Sequence, residues 1–327
     1  MKKLAFYFTL FPLFLFSYCN ISSNFVEENP KKVFLYSDLL YWKTFEDGLD
    51  YVYDEQISSS APTGLGGDVK KATYSWQLGF RVGFKYQMDF DKWTLDGNYG
   101  KITPNDSQEI LNAENKQMSA TFQLPSGFTL TRATSNVRIS ADFANLLLER
   151  LFQTSENIKL SLLSGLSGIW IKRDWETRFF DNNSNMRVII PSWHFKGVGV
   201  KTGLDFDWTM KKGFSWNGKS AIATIFGNYD TWMRAYDNVD SNRVENAHLD
   251  DFRVVTNLQF QLGPAWQKDF SSAKLKLVAN YEMNVWFNLS QTNRSLYQIA
   301  ATSNAQSRFT NNIVQMHGLT FYAMLNF

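Results

Sequence analysis

The sequence predicts an all-β fold: a transmembrane antiparallel β-barrel of about ten strands, with short turns at one end and long loops at the other. Three observations predict it. Residues 73–88, TYSWQLGFRVGFKYQM, hold an apolar residue at every even position and a small or polar one at every odd position. A two-residue period sets a strand between two environments, and this one outlasts the ordinary strand of about five or six residues. Connections between such segments alternate between short and long, which is the pattern of periplasmic turns and extracellular loops. Finally, the chain closes on GLTFYAMLNF, where Leu319, Phe321, Ala323, Leu325 and Phe327 fall on one face. A terminal aromatic on an alternating strand is what the outer-membrane barrel assembly machinery is understood to recognise, so Phe327, Leu325 and Phe321 are the expected assembly signal.

In chain order, MKK followed by the apolar run LAFYFTLFPLFLF and then SYCNISSN reads as a secretory signal peptide. The run is too short for a spanning helix of about 20 residues, and Pro12 interrupts it. Residues 1–19 are the expected signal, with cleavage as late as residue 23 left open; 20–32 form a periplasmic lead and 33–327 the barrel. Strands are expected at 33–44, 73–88, 93–99, 132–147, 157–172, 193–208, 214–229, 252–266, 273–287 and 313–327. Phe252, Val254, Leu258, Phe260 and Leu262 oppose Arg253, Asn257, Gln259 and Gln261, and the same alternation sets Leu275, Leu277, Tyr281 and Val285 against Lys276, Asn280, Glu282 and Asn284. Short turns fall near 89–92, 149–156, 210–213 and 268–272. Long polar loops fall near 45–72, 101–130, 173–191, 230–250 and 288–312. A chain that starts and ends in the periplasm needs an even number of strands. Ten satisfies this, and twelve follows if QMSATFQL and SGFTLTR form a further hairpin. Trp42, Trp93, Trp170, Trp208, Trp216, Trp266 and Trp286 lie near strand ends, where the membrane interface takes amphipathic rings.

Composition narrows the class. The 28 Phe, 14 Tyr and 11 Trp among 327 residues exceed what a soluble core absorbs. A mean hydropathy of −0.30 on its own suggests a soluble exported protein, and the alternation overrides it. Cys19 is the single cysteine; the bulky Tyr18 before it argues against lipidation, and its loss with the signal leaves no disulfide framework. Removing Lys2 and Lys3 takes the formal charge from +2 to 0, so nucleic acid is not an expected partner.

With the apolar face toward lipid, Arg81 and Lys85 enter the lumen. The same phase places Asp96, Arg138, Lys201, Asp205, Arg253, Lys276 and Glu282 there as candidate pore-lining residues, together with Asp38, Asp142, Lys159, Asp207 and Lys219. Rings of charge set the selectivity of a wet pore, and the slight basic excess leans toward anions; a narrow barrel instead fills its lumen and pairs these charges. A rival reading is an outer-membrane hydrolase, because NAHLDDF brings His248 close to Asp250 and Asp251 at an extracellular rim, and a histidine with carboxylates can activate water. A polar loop rejoining a strand explains the same residues. No phosphate loop, Cys/His metal spacing or nucleophile elbow is present. A third reading is a structural or adhesin surface protein with a closed lumen, acting through long Ser/Asn-rich loops.

SDLLYWKTFEDGLDY (37–51), FKGVGVKTGLDFDWTMKKGFSWNGKSAIATIFGNY (195–229) and QMHGLTFYAMLNF (315–327) resemble the Legionella-type major outer membrane protein family, also found in chlamydia-like bacteria. LSLLSGLSGIWIKRDWETRFF (160–180) and the segment 258–288 are compatible with it. The resemblance implies a pore-forming barrel in a Gram-negative outer membrane, passing ions and small hydrophilic solutes by diffusion, with no catalytic residues, metal or cofactor. It implies outer membrane lipid and the assembly machinery as partners and is compatible with a homo-oligomer. The cysteine crosslinking of some major outer membrane proteins has no residue to act through here.

Overall fold

Each alternating segment finds its hydrogen-bond partners in its neighbours, and the last strand finds the first. The computed structural model describes residues 33–56, 67–88, 91–112, 116–122, 124, 127–210, 213–238, 244–270, 274–296 and 306–326. The expected signal peptide, the lead to residue 32 and Phe327 lie outside the described residues. The strands are β1 (Val33–Glu46), β2 (Asp50–Gln56), β3 (Gly67–Lys71), β4 (Gln77–Gln87), β5 (Trp93–Ile102), β6 (Asn105–Leu111), β7 (Lys116–Ala120), β8 (Leu130–Gln153), β9 (Ile158–Asp181), β10 (Met186–Thr209), β11 (Phe214–Asp237), β12 (Val244–Asp269), β13 (Lys274–Leu296) and β14 (Gln306–Asn326).

The main sheet has eleven segments and closes on itself, because β1 pairs with both β4 and β14 while β5 and β6 both pair with β8. Every pairing is antiparallel. β5 and β6 are successive pieces of one wall strand interrupted around Pro104, which has no N–H to give to a ladder; its carbonyl still accepts from Ile139 N at 2.8 Å. Eleven segments therefore make a ten-strand wall, as expected. The segment that might have raised the number to twelve leaves the wall: β7 pairs with β2, and β3-β2-β7 form a separate three-stranded sheet. The connections from β4 to β5, β8 to β9, β10 to β11 and β12 to β13 are short and share one end. Gly213 makes its turn at φ +80°, where a Cβ would also sit 2.4 Å from the Gln267 carbonyl oxygen, so only glycine fits without strain.

Of the expected loops at 173–191 and 230–250, residues 173–181, 186–191, 230–237 and 244–250 are instead wall. β9 and β10 each run 24 residues and meet in a turn at 182–185. At about 3.3 Å per residue and a tilt near 40°, such a strand stands roughly 60 Å tall, over twice the ~25 Å apolar band of a membrane barrel. The extra height explains the error. In β9, Ile158, Leu160, Leu162, Leu166 and Trp170 face outward in the lower part, and Lys172, Asp174, Glu176 and Arg178 occupy the same face above. Inward, Lys159, Ser161 and Ser167 give way to Ile169, Ile171, Trp175 and Phe179. The strand keeps its period of two and exchanges the chemistry of its two faces where it leaves the lipid.

That exchange corrects the placement of four residues. Arg138 and Asp142 lie on the outward face of β8, not in the lumen, because Val137, Ile139 and Ala141 are buried inward. Trp42 and Trp286 are not interface residues but pack inside, at 2% and 7% exposure. Trp170, Trp208 and Trp216 do lie on the outer face, the last two directly opposite each other across β10 and β11.

Candidate functional site: a charged lumen beneath an apolar plug

Within the lipid band charge is confined to inward positions, since no outward position there tolerates it. Arg81, Lys85, Asp96, Lys201, Asp205 and Lys276 line one cavity of about 260 Å³ with Lys159, Asp207 and Lys219. Glu282 and Arg253 are also inward and buried. Eight of the nine candidate lumen residues are therefore placed as their phase predicts, and Arg138 is the exception.

Most of these charges are paired. Arg81 is gripped by Asp38 through Nε and by Glu282 in a two-point contact, Nη1 to Oε1 at 3.2 Å and Nη2 to Oε2 at 2.8 Å. The planar guanidinium fork is suited to such bidentate pairing. Gln259, Asn284 and Thr320 complete the shell around Glu282, donating at 2.7, 3.0 and 3.0 Å. Lys85 Nζ meets Glu149 at 2.6 Å and Asp96 at 3.7 Å, while the Tyr36 hydroxyl donates to Asp96 at 2.7 Å. Lys276 pairs with Asp207.

Above this chamber lies a space of about 30 Å³ lined by Trp42, Phe143, Ile169, Ile171, Trp286 and Met316 with Arg81, Lys201 and Gln259, room for about one water. Above that the lumen holds a large apolar cluster. Trp175, Phe179, Trp193, Ile225 and Tyr229 point in from the wall, and Leu49, Tyr51, Val52, Ala72, Tyr74, Met118 and Phe122 come from β2, β7 and the connections before β2, after β3 and after β7. The Phe122 ring meets Trp175 edge-on at 5.3 Å, a favoured aromatic geometry. The small sheet is thus a plug held in the mouth of the barrel.

The plug is pinned by a residue that sequence reading missed. Glu46 is a fully buried carboxylate at the end of β1 that accepts from Tyr74 Oη at 2.7 Å, Arg173 Nη1 at 3.1 Å, Trp193 Nε1 at 3.2 Å and the Ser290 hydroxyl. Arg173 in turn donates to the Pro191 carbonyl at 3.3 Å. Four wall strands and the connection carrying Tyr74 converge on one side chain. The trace of it in the sequence is the alternation of Arg173, Trp175 and Phe179 against charged neighbours, inside a segment read as loop.

His248, Asp250 and Asp251 do not form one rim site. On β12, His248 and Asp250 face outward, and Asp251 faces the other way, toward Arg253 Nε at 3.0 Å. Outside, Asp250 stands opposite Asp230 in the β11–β12 register, His248 lies 3.8 Å and His194 3.4 Å from the Asp230 carboxylate, and Trp232 is stacked between the two imidazoles. A hydrogen bond with Asp230 is the main cause holding the Asp250 carboxyl above the usual carboxylate range. This cluster sits just above the lipid band, one outward step beyond Lys196 and Asn228.

Among solved structures, the outer membrane protease OmpT from Escherichia coli matches at 10% identity over 93% of this chain and 99% of its own, with a TM-score of 0.45. The Pseudomonas putida toluene transporter TodX matches at 10% identity over 91% of both chains with a TM-score of 0.33. A FadL homologue of Pseudomonas aeruginosa matches at 8% identity over 90% of both, with a TM-score of 0.28. A comparison with curated protein sequences gives no match. The family model described as Legionella pneumophila major outer membrane protein precursor matches residues 28–323, nearly the whole chain. Closed on itself, banded with apolar residues outside and charged within, the chain belongs to the family of the Legionella pneumophila major outer membrane protein and is a β-barrel of a Gram-negative outer membrane.

Proposed function

We propose that this barrel is a constricted pore for ions and small hydrophilic solutes, passed by diffusion and throttled by its own plug. The observation that carries the reading is the charged cavity of about 260 Å³ enclosed by the lower wall. Ionisable groups placed inside a membrane barrel and facing a cavity mark a path for ions and polar solutes. The Arg81, Asp38 and Glu282 cluster supplies the fixed charge that selects among solutes, and the plug of β2, β3 and β7 sets how often the upper lumen admits them. The small hydrophilic solute needs no cofactor on this path.

A second reading is favoured by a specific observation. The plug buries Tyr51 and Val52 completely, which suits a barrel whose lumen stays shut and whose work is done at the outer surface. Planar-bilayer recording on the purified full chain separates the two. Stepwise, ion-selective conductance is the expected result; a silent barrel supports the surface role and sinks the pore.

A further inference from the structure

We propose that Lys201 anchors an anion subsite at the neck of the lumen and takes the carboxylate of a small organic solute; this rests on the pore reading and gives that pore a substrate class. Arg81, Asn145, Lys201 and Gln259 line both the charged chamber and the narrower space above it, so a solute moving between the two passes all four. Three of them are committed. Arg81 is shared by Asp38 and Glu282. Asn145 donates to Asn98 at 2.8 Å and accepts from Ser167 at 2.9 Å. Gln259 donates to Glu282 at 2.7 Å.

Lys201 differs from them. It is only 7% exposed, yet among the described residues its ammonium has no hydrogen-bond or ion-pair partner. The carboxylates whose charge reaches it are already engaged, Glu282 with Arg81 and Asp96 with Lys85 and the Tyr36 hydroxyl. Its register partners are Gly165 on β9 and Ala223 on β11, so no long side chain flanks it and the ammonium opens onto the cavity. Gly199, one inward step away on β10, lets β11 approach so closely that a Cβ there would sit 1.9 Å from the Thr224 carbonyl oxygen. The wall is thereby drawn tight beside the lysine. A buried ammonium without a counter-ion is costly, and a diffusible oxyanion supplies the partner that the wall withholds. Lysine, with a compact charge and rotatable donors, can hand such an anion on.

Two measurements on the purified full chain test this. In planar bilayers under a KCl gradient, the wild type should show a reversal potential displaced to the chloride side, Lys201→Glu one displaced to the potassium side, and Lys201→Arg the wild-type value. In calorimetric titration of malonate into detergent-solubilised protein, Lys201→Gln should bind about tenfold more weakly or worse, as loss of a charge-assisted hydrogen bond implies, with Lys201→Arg retained. Lys201→Met is read instead if the glutamine variant does not assemble. Equal malonate affinity in the wild type and the uncharged variant overturns the subsite, as does an unchanged reversal potential in assembled Lys201→Glu. A wild type that binds malonate through Lys201 but conducts nothing overturns the pore and leaves the subsite standing.

Discussion

Glu282 shows how much one side chain carries in this lumen. It is fully buried and takes hydrogen bonds from Arg81, Gln259, Asn284 and Thr320, so its charge is matched and its lone pairs are used. Replacing it with alanine strands Arg81 beside Asp38 and leaves three donors unanswered. Breaking one side of a buried pair costs about 3–5 kcal/mol, and Glu282→Ala should lose that much in urea unfolding from detergent micelles, with Glu282→Gln losing less because the amide still accepts. At the same scale, Glu46→Ala should loosen the plug, since Tyr74, Arg173, Trp193 and Ser290 all lose their common acceptor. The measurement is tryptophan emission: Trp193 should shift to the red as water reaches it, and an unshifted spectrum would mean the plug is held by packing alone. Residue types announced Glu282 correctly, because an acid on the polar face of an alternating strand has only the lumen to enter. Nothing local announced Glu46, whose partners are drawn from β9, β10 and β13 and from the connection before β4.

Among the elements, the decisive feature is the exchange of faces along a single strand. β11 presents Trp216, Ile222 and Phe226 outward and then Asn228, Asp230 and Arg234 on the same face, while its inward face passes from Asn217 and Lys219 to Ile225, Tyr229 and Met233. The lipid sets the first arrangement, and water outside with the plug inside sets the second. Ile222 lies between the outer-face Trp216 and Asn228, within the band. Ile222→Arg should cost about 2–4 kcal/mol and impair insertion, whereas Arg234→Leu, above the band, should insert as the wild type does; reconstitution into lipid vesicles, scored by protease protection, checks both. The rule that apolar means outside is therefore true for only half of each long strand. It placed Lys201 and Lys276 correctly and misplaced Arg138, because Val137, Ile139 and Ala141 lie in the upper half, where apolar means inside.

In the whole molecule, ten strands close a lumen whose lower part is polar and whose upper part is occupied by segments that the sequence presents as loops. Met118 on β7 is 4% exposed within the apolar cluster, and among the described residues β7 pairs as a strand with β2 alone. Met118→Asp buries an unpaired charge there, which favours release of the plug over burial. The expected outcome is a larger single-channel step in planar bilayers with the wall intact by circular dichroism. An unchanged step would show that the limiting constriction is the Arg81 neck instead.

The sequence by itself determined an even wall of ten or twelve strands, the end at which the short turns gather, the lipid-facing stripe and the inward side of most of the lumen charges, and the structure settled the number at ten. Each of these follows from a period of two and a count of connections, which are local properties of the chain. Only the tertiary structure decided how far the wall rises beyond the lipid, where its faces exchange, and that β2, β3 and β7 turn back into the barrel. Those outcomes depend on what stands opposite each residue across the lumen, and the environment of a side chain in a barrel is set by strands far away in sequence.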